Sequence, residues 1–453
     1  MKKLLWPHPC QTASQKMPEQ RTAQRGQAVL LVAVSLAALI GLAALAIDVT
    51  SLYVARSEAE KTADQAALAG AKAFVSSGFT SGGLGDWTDG GVQSTACNGA
   101  SGLADLQAQA AAQQNTIAGA PATTVTTACD FTNPEDPQIT VTVQRTGLPN
   151  FFSRIWSPAA GQVTAVSKAE AFNPSGSTTQ IAVANVKPWL VANCDPTSPP
   201  LSGGNLGCVL AGTIFPAYFL DPANNYAINN NGKFIGKPIT LHQAKPIAGL
   251  LLTSLVGGYS VLDLPISSSS ASCPASSATS CGSVTPDAPG FYETAACSNS
   301  AQLTCGSATN QIAGPVRIDF TISPPNSTEP GKCLTHASDY GLGNGQDVLN
   351  APGVPTTLTG GSNNPDPALQ GRADVSRSDS VVTVPIWNGD LLCINGVNCA
   401  DFQIVGFMQL GITDVQSNGN IDAVILNVAG CGSATGTAIA GGGTSPIPVR
   451  LVR

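Results

Sequence analysis

Residues able to do chemistry are sparse in this chain and do not gather in sequence. The only histidines are His8, His242 and His336. No G-x-S-x-G, H-E-x-x-H or P-loop pattern occurs, so the sequence writes no nucleophile elbow, zinc-protease pair or phosphate cradle. Acid–base chemistry would rest on scattered carboxylates, and no pair of them stands out. The chain is therefore read as a non-enzyme, with no cofactor and no small-molecule substrate expected. Two acidic patterns could offer oxygen ligands to a divalent cation. Asp374, Ser376 and Ser378 have the D-x-S-x-S spacing of a metal signature, but a polar loop precedes them and the apolar segment comes after. Asp414, Asn418 and Asp422 partly match a calcium loop, yet Gln416 and Ile425 stand at its third and twelfth positions. The Asn418-Gly419 pair between two alternating segments predicts a β-hairpin there instead. The stretch from Asp339 to Asp347 is acidic and Gly-rich. Its G-x-G-x-G does not sit between a strand and a helix, so it is read as a loop.

Cysteine is the larger signal, with 13 in the chain. Cys10 precedes a long apolar run. Cys97, Cys129, Cys194, Cys208, Cys273, Cys281, Cys297, Cys305, Cys333, Cys393, Cys399 and Cys431 follow it. An even set beyond such a run fits disulfides formed in an oxidising compartment. Spacing suggests Cys273 with Cys281, Cys297 with Cys305, and Cys393 with Cys399. Cys194 with Cys208 and Cys97 with Cys129 are further pairs, which leaves Cys333 with Cys431. Sequence alone does not establish that connectivity. Each bridge contributes on the order of 2–4 kcal/mol, less for short loops. Zinc is the competing reading, and the absence of C-x-x-C spacing argues against it.

The chain that must position these groups is 453 residues long, with 11% charged and 5% aromatic residues, 47 Gly and 32 Pro. Length suggests two to three domains, and the composition is that of an exported, turn-rich β protein. Apolar content of 43% is enough for real cores, while a net charge of −7 argues against a nucleic-acid partner. Residues 28–47 (AVLLVAVSLAALIGLAALAI) carry no charge and suffice to cross ~30 Å of hydrocarbon as a helix. Lys2, Lys3, Lys16, Arg21 and Arg25 precede them against the single acid Glu19. Positive charge on that side predicts a cytoplasmic segment 1–27, a single inner-membrane span at 28–47, and a periplasmic or extracellular remainder. A cleavable signal peptide is the alternative, because Ala44-Leu45-Ala46 has the form of a cleavage site. The length of the run, and a helical pattern that continues past Ala46, favour an uncleaved anchor with the lipid bilayer as a partner.

Beyond the run, Ala55, Ala59, Ala63, Ala67 and Ala71 make an i, i+4 ridge, which Ala66, Ala69, Gly70 and Ala73 widen. With no internal Pro, one helix should extend to about residue 75, about 70 Å in all. A ridge of small residues lets a second element approach closely, whether from the same domain or from another subunit.

Arg25-Gly26 before the run, Asp48 closing it, Tyr53 and Arg56 after it, and the segment around Asp64, Ala67, Leu68 and Gly70 resemble a known module. It is the amino-terminal module of the TadE/TadG-like proteins of Flp (tight-adherence) pilus assembly. Leu31 stands where a pilin cut after Gly26 would carry Glu, so the resemblance implies a TadG-type component rather than a pilin subunit. The VPI and VGF segments near the carboxyl end resemble TadG-like endings. The resemblance implies a membrane-anchored structural component of a Flp/Tad-type pilus-assembly or secretion apparatus, with pilus or secretion-apparatus proteins as partners and a place in cell adhesion. The alternative is a tethered or secreted adhesin or binding module with no pilus role.

The expected fold class is α+β. The transmembrane helix should extend into a pilin-like α+β unit over 48–173, built from a helix at 103–117, strands at 138–144 and 162–172, and a short helical piece at 148–156. Residues 78–102 read as a Gly-rich loop. The Asn173–Thr179 stretch marks a boundary. Beyond it, 180–453 should be a disulfide-braced antiparallel β-rich domain with long loops. Its strands are expected at 181–186, 209–214, 261–264, 316–322, 381–386, 402–412 and 421–428.

Overall fold

The computed structural model describes residues 21–149, 152, 160–177 and 179–195; beyond them it describes the chain apart from 196, 198–207, 211–212, 216, 244–245, 248–249, 252–257, 265–290, 298–301, 307, 310–316, 319–323, 351–356, 373–377, 389–401, 432–438, 441–444 and 453. The first helix, α1 (Arg21–Ser76), is continuous, as its Ala- and Leu-rich sequence predicts. It stops where Gly78 adopts φ 71°, a left-handed turn that a Cβ disfavours. The Gly78 N–H donates to the Val75 carbonyl at 3.0 Å.

The two halves of α1 meet different surroundings. Large apolar residues from Val29 to Ile47 are exposed, whereas Ala55, Ala59, Ala63, Ala66, Ala67 and Ala71 are buried. The buried ridge packs on its own domain. It faces α3 (Leu103–Gln114), whose Ala104, Ala108 and Ala112 are also buried. It also faces a sheet formed by β1 (Thr124–Asp130), β2 (Gln138–Leu148) and β3 (Gly161–Ala171). Alternation in β2 turns Ile139, Val141 and Val143 into this core. The carboxyl-terminal strand Val449–Val452 adds to β3, giving the order β1, β2, β3, Val449–Val452. Gly70 lies where helix and sheet come closest. A Cβ there would stand 2.7 Å from Ile139 Cδ1 and 3.2 Å from the Ala104 carbonyl oxygen. The Gly-rich stretch expected as a loop holds a short helix, α2 (Gly90–Ala96), capped by the Asp89 carboxylate on the Gly91 N–H at 2.7 Å. Of the short helix expected at 148–156, Leu148 instead ends β2 and Phe152 sits at a bend. The rest, apart from Pro149, lies outside the described residues.

The second unit is built on a closed sheet. The strands Pro238–Gln243, Ile421–Gly430, Phe402–Val415, Val381–Trp387, Trp189–Ala192 and Gly258–Asp263 pair in that order. The last pairs back on the first through His242↔Gly258 and Gln243↔Tyr259. Closure into a six-stranded barrel removes the unpaired edges that an open sheet would expose. Pairing is antiparallel except at that closure and between Trp189–Ala192 and Val381–Trp387, where two residues on each side run parallel. Trp189, Tyr259, Val384, Met408, Ile412 and Ile425 share one core cluster. Leu190, Ile404, Phe407 and Ala429 belong to another, shared with the α1 unit. Strands buried on both faces read as unbroken apolar runs, which explains the VVTVPIW and AVILNVAG segments. The expected strand at 209–214 is a tight pair, Cys208–Leu210 with Thr213–Phe215, and the one at 316–322 shortens to Arg317–Ile318.

The two units are joined by buried polar contacts. Asn173 donates through Nδ2 to the carbonyls of Thr80 at 2.9 Å and Val428 at 3.0 Å. Asn427 donates to the Val75 carbonyl at 2.9 Å, and the Gly430 N–H donates to Ser175 Oγ at 2.7 Å.

Cys97 and Cys129 form a disulfide with Cα atoms 6.2 Å apart. A second joins Cys305 to Cys431, at 5.9 Å between Cα atoms. This overturns the expected pairs Cys297–Cys305 and Cys333–Cys431. The Gln302–Thr304 strand pairs with Ile181–Ala184, and the Cys305 N–H donates to the Ile181 carbonyl, which carries Cys305 to the end of the Ile421–Gly430 strand. Cys194, Cys297 and Cys333 are also oxidised to disulfides. Cys208 opens a strand, and Cys273, Cys281, Cys393 and Cys399 lie outside the described residues.

Two outcomes follow from this packing. Gly70→Leu should lose about 1–3 kcal/mol of stability by overpacking the helix–sheet crossing, and Gly70→Ala clearly less, measured by thermal unfolding in detergent. Non-reducing peptide mapping should recover a Cys305–Cys431 peptide. Cys305→Ser paired with Cys431→Ser should cost on the order of 2–5 kcal/mol, with unchanged unfolding sinking the assignment.

Candidate membrane span and its junction with the domain

Residues 28–47 occupy the first half of α1, and their side chains face outward all round the helix with few exceptions. That half is long and apolar enough to cross a membrane. Water would meet a wholly apolar cylinder there, whereas hydrocarbon leaves no polar backbone group unsatisfied because α-helical bonds close within the segment.

Asp48 ends the apolar run and is buried. Its carboxylate accepts the Phe152 N–H at 3.1 Å through Oδ2 and 3.3 Å through Oδ1. Tyr53 is 74% exposed. Arg56 follows at the surface and pairs with Glu60 across one turn at 3.1 Å. Exposed pairs of this kind contribute about 0.3–0.5 kcal/mol, so this one marks where the helix enters water more than it stabilises it. Asp64 is half-buried, Ala67 is fully buried, Leu68 packs on the core, and Gly70 makes the close crossing. Arg25 and Gly26 lie within the backbone of α1. The motif residues thus divide along one helix: Asp48 and Tyr53 at the end of the apolar run, Arg56 and Asp64 beyond it, Ala67, Leu68 and Gly70 in the core.

The acidic patterns fall elsewhere. Asp374 and Ser376 lie outside the described residues, and Ser378 donates to Asp347 Oδ2 at 2.8 Å. Asp414 and Asp422 stand opposite each other in the hairpin of Phe402–Val415 and Ile421–Gly430. The expected hairpin is present, but its loop is the three-residue kind: the Gln416 N–H donates to the Asn420 carbonyl at 2.8 Å, Gly419 takes the left-handed position at φ 102°, and Asn418 Oδ1 accepts the Asn420 N–H at 3.0 Å. Asp422 accepts from Thr240 at 2.6 Å and Gln416 at 2.7 Å. Burial, with the facing charge of Asp422 added, pushes the Asp414 carboxyl up. Among the described residues, three metal-type ligand atoms gather only at Cys97, Asp105 and Cys129. There the two sulfurs are bonded to each other, and Asp105 accepts from the Asn98 N–H, the Gly102 N–H and the Thr127 hydroxyl.

A polar cluster that the sequence did not flag surrounds His336, just past the helix Pro324–Thr335. The ring is buried, with Nδ1 at 3.2 Å from Asp347 Oδ2 and Nε2 at 3.4 Å from Asp379 Oδ2. Asp347 also accepts from the Gly361 N–H at 2.9 Å and from Asn364 Nδ2 at 3.1 Å. Burial lowers the His336 pKa, but the hydrogen bonds to Asp347 and Asp379 outweigh it and push the imidazole up to about 9. Burial acts upward on Asp347, and its bonds to His336, Gly361, Asn364 and Ser378 hold it below the ordinary carboxylate value. Burial brings Lys187 down to about 8, opposed by the charge of Asp379, while Nζ donates to the Cys297 carbonyl at 2.8 Å. An imidazolium that donates to two carboxylates has no free lone pair. The Ser378 hydroxyl donates to Asp347, whose carboxylate is already engaged by His336, Gly361 and Asn364. A cavity of about 640 Å³ beside it is lined by Leu342, Gly345, Asp347, Val348, Gly361 and Thr413.

Residues 26–73 match the family model described as "Putative Flp pilus-assembly TadE/G-like". The match covers about a tenth of the chain and coincides with α1. No curated protein and no solved structure matches the chain. The segment is TadE/G-like, and with its candidate membrane span it relates the protein to Flp pilus assembly and to a membrane.

His336 sets a pH dependence. Its folded pKa of about 9 lies above the ordinary 6.5. The stabilisation is therefore complete below about pH 6.5 and lost as pH rises through about 9, on the order of 3 kcal/mol in full. Asp347, held low, adds stability that is lost as pH falls below the carboxylate range. The stability difference between the native chain and His336→Gln should be constant from about pH 5 to 6.5 and shrink toward pH 9. A difference independent of pH over that interval would show that His336 is not a paired imidazolium.

Proposed function

We propose, from the TadE/G-like segment and the helix it coincides with, that this chain is a membrane-anchored structural component of a Flp/Tad-type pilus-assembly or secretion apparatus. The observation that carries the reading is the match at 26–73 on a helix that is apolar and exposed over its first half and packed into a folded domain over its second. The span would sit in the inner membrane with residues 1–27 in the cytoplasm, which the basic residues before the span support. The units beyond Asp48 would stand in the periplasm or outside the cell, an oxidising setting that the disulfides of Cys97, Cys129, Cys305 and Cys431 support. The mechanism is mechanical. Because α1 is one uninterrupted helix, force or position at the membrane passes to the sheet without a hinge. The barrel, joined by Asn173, Asn427 and the carboxyl-terminal strand, moves with it. Pilus or secretion-apparatus proteins are the partners in this reading, and the part played is non-catalytic.

The test is a deletion of this chain from its host, restored by the intact chain and by a version in which Asp is placed at Leu36 and Leu39 to spoil the span. Loss of surface pili, with the pilin subunit still made and rescue only by the intact chain, is the expected result. Intact pili with lost adhesion would favour a tethered adhesin instead. Normal piliation and adhesion would sink both readings.

A further inference from the structure

We propose that the α1 unit is seated in the bilayer surface itself, through an apolar collar of Val49, Tyr53, Val54 and Phe152 that occupies the boundary between hydrocarbon and phospholipid headgroups. This rests on reading residues 28–47 as a membrane span.

The chemistry along α1 follows the order of layers in a bilayer. The apolar run comes first, then exposed Val49, Tyr53 and Val54, and only then the exposed Arg56 and Glu60. At 1.5 Å per residue, Tyr53 lies about 7 Å beyond Asp48, within the headgroup layer that adds roughly 5–8 Å on each side of the hydrocarbon. Tyrosine suits that layer because its ring is apolar and its hydroxyl is wet.

Polypeptide also reaches down to this level from the sheet. Phe152 is 37% exposed and is held at Asp48 by its N–H. That bond offsets part of the cost of a carboxylate at the edge of the hydrocarbon, where an unpaired charge is expensive. One turn further into the apolar run, Ala44 is 6% exposed while its neighbour Leu45 is 57% exposed, so one side of the span is covered there. The sheet geometry agrees. Ile139 meets Gly70, and β2 at about 3.3 Å per residue carries Leu148 about 30 Å further back. The helix covers that distance in about 20 residues, which returns to about residue 50. The domain therefore has no stalk. Its sheet begins at the membrane, and Phe152 lies at the waterline by Asp48.

A lipid surface fits this collar better than a protein partner. The exposed ring of residues is continuous with the exposed span, and the first charged pair on α1 stands only beyond it.

The full chain in its native membranes, or in phosphatidylethanolamine–phosphatidylglycerol vesicles, tests this. A diazirine-bearing phenylalanine would replace Tyr53, Phe152, Leu39 or Leu342 one at a time, and adducts would be read by mass. Leu39 lies in the span and Leu342 is exposed on the second unit. Phospholipid adducts at Tyr53, Phe152 and Leu39, with none at Leu342, are the expected result. Adducts at Leu39 with only protein or water adducts at Tyr53 and Phe152 would overturn the collar and leave the span standing. Absence of lipid adducts at Leu39 as well would overturn both.

Discussion

The backbone of α1 passes unbroken between two surroundings with opposite demands, and the rest of the molecule is arranged around that constraint. Over residues 28–47 the helix must present apolar side chains in every direction. Over the second half it must bury one face against a sheet and show polar groups on the other. Alanine satisfies both halves. It keeps the helix intact through the change, because it carries the least conformational penalty of any residue there. In the second half it is also small enough to bring α3 and β2 within contact of the helix axis, with Gly70 at the tightest point. A larger residue on the ridge would serve the membrane half equally well and would lift the helix off its sheet.

The point of change is chemically explicit. Asp48 would be a liability at the end of an apolar cylinder if it stood bare, and the Phe152 N–H satisfies it. One carboxylate thus both ends the span and ties the sheet connection to it. At the far end of α1, Gly78 reverses the chain. The residues after it meet the barrel through Ser81, whose hydroxyl donates to the Val428 carbonyl at 3.1 Å. The carboxyl-terminal strand returns to β3, and Arg450 there pairs with Glu170. The second unit is therefore held to the first by buried amide side chains, by the four residue pairs between the carboxyl-terminal strand and β3, and by an apolar cluster in which Leu190, Ile404, Phe407 and Ala429 join the core of the α1 unit.

Much of this was legible in the sequence, for reasons that differ by element. The long helix, the strands at 138–144 and 162–172 and the runs at 381–386, 402–412 and 421–428 show their periodicity locally, and the structure has strands or helix there. The Asn418-Gly419 turn was legible because only certain residues adopt its backbone. Strands such as Trp189–Ala192 and Thr124–Asp130 were not, since four apolar residues or an alternating polar stretch carry no period long enough to see. Cysteine spacing pointed to Cys97–Cys129, which the structure has, but misled at Cys305, because the bond from Cys305 to Cys431 spans 126 residues and is set by strand pairing.

The sequence by itself determined what depends on near neighbours: an uncharged run long enough for a bilayer, a helix that does not break, a TadE/G-like pattern of Asp48, Tyr53, Arg56 and Gly70. Only the tertiary structure decided what depends on closure. It turned the Ala ridge onto its own sheet, joined Pro238–Gln243 to Gly258–Asp263 to close the barrel, and set His336 between Asp347 and Asp379. The physical reason is that periodicity and propensity act over a few residues, whereas a strand's partner and a charge's counter-charge are chosen among the whole chain by which arrangement leaves the fewest buried groups unsatisfied.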